Sequence, residues 1–224
     1  MPKLVNLLEK NKMSLVVALP KNDSAMAEAA IAGGADALQL HLNLPKYGSF
    51  GEEKSNLEKI LKGTKLPVGI VPGNKNCATE EEMKEMVKMG FDFFNMDSSL
   101  IPSYMMNLKN IAKILALNSK FTMDKLISLG SFGAEALDAA IIPVSEWGKE
   151  IVVGDLQNYI SIVISAGIPV IIPTQRSIRT SEVAIISDTG AKGLLLTSVV
   201  TGNTPKNIEK AVKAFKLAAD DLSE

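Results

Sequence analysis

Three stretches of this chain place polar residues at spacings that can do chemistry. The first is Leu38-Gln39-Leu40-His41-Leu42-Asn43, in which leucines alternate with an amide, an imidazole and a second amide. The second, Phe94-Asn95-Met96-Asp97, repeats that alternation. Successive residues of a strand point to opposite faces, so Gln39, His41 and Asn43 share a face, as do Asn95 and Asp97. His41 is the only histidine and the one side chain whose unperturbed pKa lies near neutrality. It is the natural general acid or base, with Asp97 as its partner or as a contact to a substrate hydroxyl. An isolated histidine more often satisfies polar neighbours than moves protons; the company of Asn43, Asn95 and Asp97 favours the catalytic role.

The third stretch lies nearer the C-terminus. Gln175 and Arg176 follow one apolar run, and Thr197, Ser198 and Val199 close the next, ahead of a Thr201-Gly202-Asn203-Thr204-Pro205 turn. An arginine beside backbone N–H groups and a helix start suits a phosphate. Glu146 is a further acid–base candidate and Lys75 a further ligand contact, each near the end of an apolar run. Lys21, Lys46 and Lys120 and the amide of Asn118 sit at comparable places, although most lysines in a chain with this many bases are solvated surface.

Something must position these groups. Short β-rich apolar runs at 14–20, 35–42, 66–71, 91–97, 113–119, 137–143, 168–174 and 193–200 alternate with helical patterns. The run at 113–119 also reads as a helix tail. Strand–helix alternation demands parallel pairing with crossovers, and eight such units close into a (β/α)8 barrel spanning 1–224. Gly34-Ala35-Asp36, Gly90-Phe91-Asp92, Gly190-Ala191-Lys192 and a looser copy from Gly133 to Asp138 read as helix stop, tight turn and strand start before the even-numbered strands. Leu66-Pro67-Val68 and Ile168-Pro169-Val170 open the third and seventh alike. An open doubly wound sheet shares the alternation, but Lys21-Asn22-Asp23-Ser24 after the first strand has no glycine fingerprint. In a barrel the leucines of the second strand must face helices, which sends Gln39, His41 and Asn43 into the lumen; even-numbered strands fill a common layer, so His41 and Asp97 are expected to share a site.

The helical spacing of Leu4, Leu7 and Leu8 suggests a short amphipathic helix that plugs the barrel bottom. Met83, Met86, Val87 and Met89 form a core-facing stripe, and Thr79-Glu80-Glu81-Glu82 is a capped helix start. With 24 basic and 25 acidic residues the chain lacks the positive field that nucleic acid requires. One cysteine and one histidine exclude a disulfide within the chain and a His/Cys zinc site. Neither a metal nor a cofactor is expected. No apolar run approaches the roughly 20 residues of a membrane span, so a cytoplasmic protein is expected, with a small phosphorylated ligand as partner and a homodimer allowed.

Two stretches resemble a known family. From Leu66-Pro67-Val68-Gly69-Ile70 through Ala78-Thr79-Glu80-Glu81-Glu82-Met83 to Phe94-Asn95-Met96-Asp97-Ser98, and from Ala166-Gly167-Ile168-Pro169-Val170-Ile171 through Arg176 to Gly190-Ala191-Lys192 and Ser198, the chain resembles N-acylglucosamine-6-phosphate 2-epimerases, also called N-acetylmannosamine-6-phosphate epimerases. The resemblance implies a phosphate-binding barrel of the ribulose-phosphate-binding type, a sugar contact at Asp97 and phosphate binding at Arg176 and Ser198. The family's third strand ends in Ile-Lys and its seventh reads Ala-Glu-Gly-Arg; this chain has Val71-Pro72-Gly73 and Ile172-Pro173-Thr174-Gln175-Arg176. The lysine and glutamate are thus replaced. An isomerase or epimerase acting by proton transfer on a small phosphorylated sugar or related carbonyl compound, through His41 with Asp97 or Glu146, is the leading expectation. A lyase or aldolase forming a lysine imine at Lys21, Lys75 or Lys120 is the second, and a non-catalytic phosphate-ligand-binding barrel the third.

Overall fold

A computed structural model describes residues 2–223. In chain order the elements are α1 (Lys3–Lys10), β1 (Ser14–Ala18), α2 (Ser24–Ala32), β2 (Ala37–His41), α3 (Phe50–Gly63), β3 (Val68–Val71), α4 (Glu80–Met89), β4 (Phe93–Asp97), α5 (Ser103–Met106) and β5 (Ala112–Ala116). There follow α6 (Met123–Leu129), β6 (Ala136–Asp138), α7 (Val153–Ala166), β7 (Val170–Pro173), α8 (Val183–Asp188), β8 (Gly193–Leu196), α9 (Ser198–Thr201) and α10 (Pro205–Asp220). All eight strands pair in parallel with their sequence neighbours and β8 returns to β1, closing a (β/α)8 barrel.

The turn chemistry read from the sequence operates as expected. Gly34, Gly90, Gly133 and Gly190 hold φ of 95°, 101°, 87° and 89°, a left-handed region that side chains disfavour. The acid that follows then ties the barrel bottom: Asp36 accepts from Leu15 N at 2.8 Å, Asp92 from Lys3 N and Leu4 N at 2.8 Å, and Glu135 from Lys113 N at 3.1 Å. Thr79 and Glu82 form a capping box on α4, and Thr204 caps α10 with Pro205 in its first turn.

Two apolar layers result. Leu15, Leu38, Leu40, Phe94, Met96, Ile172 and Leu194 pack outward against the helices. Val16, Ala37, Phe93, Ile114, Ile171 and Leu195 pack with Leu4, Val5 and Leu8 of α1. Helix α1 is therefore the bottom plug, with Val5 buried where the sequence pointed to Leu7. Phe93 also explains the glycine in β3: a Cβ on Gly69 would meet the Phe93 ring at 2.0 Å, so the glycine is what lets the ring lie there.

Every strand overlaps its expected run, and the largest shifts are at the ends of the eighth and the sixth. The eighth strand ends at Leu196, and Ser198, Val199 and Val200 belong to α9, because Thr197 accepts from Val199 N at 3.3 Å and starts a helical turn. The sixth strand is Ala136–Asp138 and not 137–143; Ala139 onward leads into a 3-10 turn at Val144–Glu146. The fifth is a strand, as its apolar character suggested, and pairs with both neighbours.

Candidate functional site

The strands deliver three amides and acids to one level of the lumen. Asn95 Nδ2 donates to Gln39 Oε1 at 2.9 Å and to Asp138 Oδ2 at 2.7 Å, joining β2, β4 and β6. All three residues are 4% exposed, so their polarity is set inside the barrel. Alternation had placed Gln39 and Asn95 here. Asp138 was passed over because it was read as part of a helix-to-strand turn, although Leu137, which packs toward the helices, fixes Asp138 inward by the same rule.

This network is incomplete. Asn95 Oδ1 and Asp138 Oδ1 are buried without a hydrogen-bond partner, and so is His41 Nδ1, two residues beyond Gln39 on the same face of β2. Buried polar atoms are nearly always paired, and each left unpaired costs about 1–3 kcal/mol. Three of them in one lumen mark a place that a polar ligand or water completes. The fourth such atom among the described residues, the Tyr159 hydroxyl, lies on α7 in the layer between helices and barrel.

Burial also tunes the protons. Desolvation pushes the Asp138 carboxyl up to about 6, only partly countered by the Asn95 hydrogen bond. Desolvation pushes the His41 imidazole down to about 4, against a weaker opposing hydrogen bond to the Leu19 carbonyl, so at neutral pH the ring is uncharged. Tyr47 lies against it, ring centroids 4.7 Å apart, and donates its hydroxyl to the same carbonyl at 2.8 Å. Asn22 holds the backbone of the imidazole's own residue, accepting from His41 N at 3.2 Å and donating to His41 O at 2.7 Å.

Other candidates have different company. Asp97 accepts from Ser99 N at 2.9 Å and from Asn118 Nδ2 at 3.1 Å, which ties the ends of β4 and β5; no hydrogen bond joins it to His41 among the described residues. Asn43 lies beyond the end of β2 in left-handed backbone (φ 54°), and its amide donates to Pro72 O at 3.0 Å and not into the lumen. Gln175 is buried, with Oε1 accepting from Ile142 N at 3.1 Å, and so joins two loops. Lys75 is exposed on the loop after β3, and Lys21, Lys46 and Lys120 are exposed on theirs.

Arg176 is held by carboxylates. Its Nε and Nη2 donate to Asp155 at 2.8 and 3.2 Å, and its Nη1 to Glu146 at 3.1 Å. Asp155 also accepts from Val152 N at 3.1 Å, so the pair anchors the start of α7. Both residues are buried; removing one partner of such a pair costs about 3–5 kcal/mol. The guanidinium that the sequence offered to phosphate is therefore engaged in holding a helix. Glu146 is likewise bound, to Arg176 and to Lys149 at 2.8 Å.

At the seventh and eighth strand ends two threonines form a latch. Thr197 N donates to Thr174 Oγ1 at 2.8 Å and Thr197 Oγ1 donates to Thr174 O at 2.8 Å, setting Ser198 and Val199 at the start of α9 on the barrel rim. Among the described residues no group of three or more His, Cys, Asp or Glu side chains is placed to hold a metal, and no helix is long and apolar enough to cross a membrane.

No protein-family model matches the chain, and no curated protein matches it in sequence. Solved structures do. Thiamine phosphate pyrophosphorylase from Pyrococcus furiosus superposes with a TM-score of 0.69 at 17% identity, covering 96% of this chain and 98% of that one. Phosphoribosyl anthranilate isomerase from Thermus thermophilus gives 0.68 at 15% identity over 94% and 100%. N-acetylmannosamine-6-phosphate 2-epimerase from Clostridium perfringens gives 0.64 at 18% identity over 92% and 93%. At such identities the likeness is one of fold: this barrel is shared with enzymes of several activities, among them the epimerase that the sequence resembles.

Proposed function

We propose that the chain is an enzyme that moves a proton on a small phosphorylated sugar or related carbonyl compound bound at the C-terminal mouth of the barrel. The observation that carries this reading is the set of unpartnered atoms His41 Nδ1, Asn95 Oδ1 and Asp138 Oδ1 in one lumen. A sugar carries hydroxyl donors for the amide and imidazole acceptors. The Asp138 carboxyl, at about 6, is largely ionised near neutral pH and can take a proton from carbon beside a carbonyl and return it. Asn95 holds the second carboxylate oxygen and fixes the direction of the first. His41, neutral at that pH, orients the substrate as an acceptor or relays the proton. The phosphate is assigned to the rim at Thr197, Ser198 and Val199, next to the latch between β7 and β8, where barrels commonly hold it. Asp97 and Asn118 border the same mouth and suit contacts to outer hydroxyls.

Aldose and ketose 6-phosphates, N-acetylmannosamine 6-phosphate among them, incubated in deuterated water and followed by proton NMR, test this directly. Wild type exchanges a carbon-bound proton of at least one of them, and Asp138→Asn slows the exchange by at least about 100-fold, the usual worth of a general acid or base. Exchange at the wild-type rate in Asp138→Asn removes the carboxylate from the chemistry. Binding of the same compounds by calorimetry with no exchange in wild type leaves a binding barrel instead of an enzyme.

A further inference from the structure

The outer surface of α7 differs from that of every other long helix. Position 155 carries the single charge between residues 151 and 168, and Asp155 is buried against Arg176, so the solvent face of the helix has no charge at all. That face shows Val153, Gln157, Ile160 and Ile164, of which Val153 is 71% and Ile164 77% exposed. Their spacing of four, three and four residues is a heptad seam, the pattern by which one helix lies along another. Helix α6 packs beside α7 and adds Ile127, and the turn after it adds Phe132. Eight of the ten large apolar side chains most exposed among the described residues fall between positions 127 and 164.

We infer that the α6–α7 face is a docking surface for a second copy of this chain, with α7 meeting its own symmetry mate. The area fits. The apolar side chains of this face, Ile127, Phe132, Val153, Ile160 and Ile164, present roughly 550–600 Å², the top of the roughly 300–600 Å² range of the largest patch on an ordinary monomer, and the exposed Val152 and Gln157 beside them extend it toward the ~800 Å² that each partner gives a standard interface. The chemistry fits as well. A twofold interface sets the same patch against itself, so a charge near its axis meets its own copy; a seam of isoleucine, valine and glutamine has nothing to repel there. A membrane surface would call for lysine or arginine along the apolar stripe; residues 151–168 have neither, and Lys149 just before them is paired with Glu146 at 2.8 Å. The α7 face lies outside the lumen, so the pairing holds whatever the mouth binds.

Sedimentation velocity of the full chain over a concentration series, with Ile164→Lys and Leu217→Lys beside wild type, decides the matter. Wild type sediments at twice the 24.0 kDa chain mass. Ile164→Lys raises the dissociation constant by about 100-fold, because the twofold puts both copies of the lysine into the seam. Leu217 is 60% exposed on α10, away from the patch, and its lysine variant stays dimeric. Circular dichroism and melting confirm that each variant is folded; should Ile164→Lys not fold, Ser161→Cys serves in its place and oxidises to a disulfide-linked dimer. A monomeric wild type, a dimer indifferent to Ile164→Lys, or a dimer lost equally in Leu217→Lys overturns the proposal, as does co-sedimentation of monomers with phosphatidylcholine/phosphatidylserine vesicles.

Discussion

The floor and the mouth of the same lumen are built on opposite terms. At the floor Phe93, Val16, Ile114, Ile171 and Leu195 close over the plug residues Leu4 and Leu8, and the buried serine of the same strand face, Ser14, has its hydroxyl paired with the Asn11 amide at 3.2 Å. One level up, Gln39, Asn95 and Asp138 stand equally buried and leave two polar atoms unpaired, with His41 Nδ1 a third. The floor shows what this backbone accepts when only packing matters. The polar level is therefore not imposed by the barrel, and the difference locates the part of the interior that is arranged for something other than stability.

The largest effect that tests this contrast is at the floor. Phe93→Ala removes a ring 1% exposed and seated on Gly69, and truncation of a buried phenylalanine typically costs about 3–5 kcal/mol. Urea unfolding should show that loss, and it should be the same at pH 5 and pH 8, since nothing in the floor cluster titrates. A pH-dependent loss would mean that floor and mouth are coupled and that the contrast is drawn too sharply.

The floor and the fold were the legible part of the sequence, because they rest on periodicity. Glycine helix stops, apolar runs and helix caps each act over a few residues; the glycines and caps stand where they are expected, and the strand ends move by up to five residues. Asn95 and Gln39 were legible for the same reason. What could not be read was pairing between distant residues. Asp155 lies 21 positions before Arg176, and nothing local in either reveals the ion pair that closes the guanidinium. Layer geometry makes Asp97 a partner for His41, but its oxygens accept from Ser99 and Asn118, whose donors depend on how the loops after β4 and β5 turn. Asp138 is within reach of the alternation rule, with Leu137 facing the helices, but its place in the Gly133–Asp138 turn copy hides it.

Asp138→Asn should have an intermediate effect, in the opposite direction from a packing mutation. The folded carboxyl titrates at about 6 against an ordinary value of 3.8. A raised pKa means that its contribution to stability is full below the unfolded value and is lost as pH rises through the folded one. Wild type should thus lose about 2–3 kcal/mol from this group between pH 4 and pH 7, at roughly 1.4 kcal/mol for each pH unit separating the two values. The asparagine variant has no proton to lose and should be more stable than wild type above pH 6, while its mouth no longer supports proton transfer. Chemical denaturation across that range checks it; an identical pH slope in both proteins would return Asp138 to the ordinary carboxylates and leave the mouth without its unusual acid.

The smallest effect, and the one that sharpens the contrast most finely, belongs to His41. Its pKa is lowered, from 6.5 to about 4, so the sign reverses: its contribution is full above the unfolded value and is lost as pH falls through the folded one. His41→Gln should therefore resist acid better than wild type between pH 6.5 and 4, where Asp138→Asn gives up its own advantage. The ring keeps its hydrogen bond to Leu19, which limits the gain, so a direct titration is the better measurement. As the chain's only histidine, its imidazole gives one unambiguous set of NMR resonances. In the free protein their midpoint should lie near 4; with a phosphorylated ligand in the mouth it should rise, because an anion favours the imidazolium. A midpoint of 6.5 in the free protein would show that water reaches Nδ1, in which case the atom is not orphaned and the polar level is an open, solvated rim instead of a site awaiting a partner.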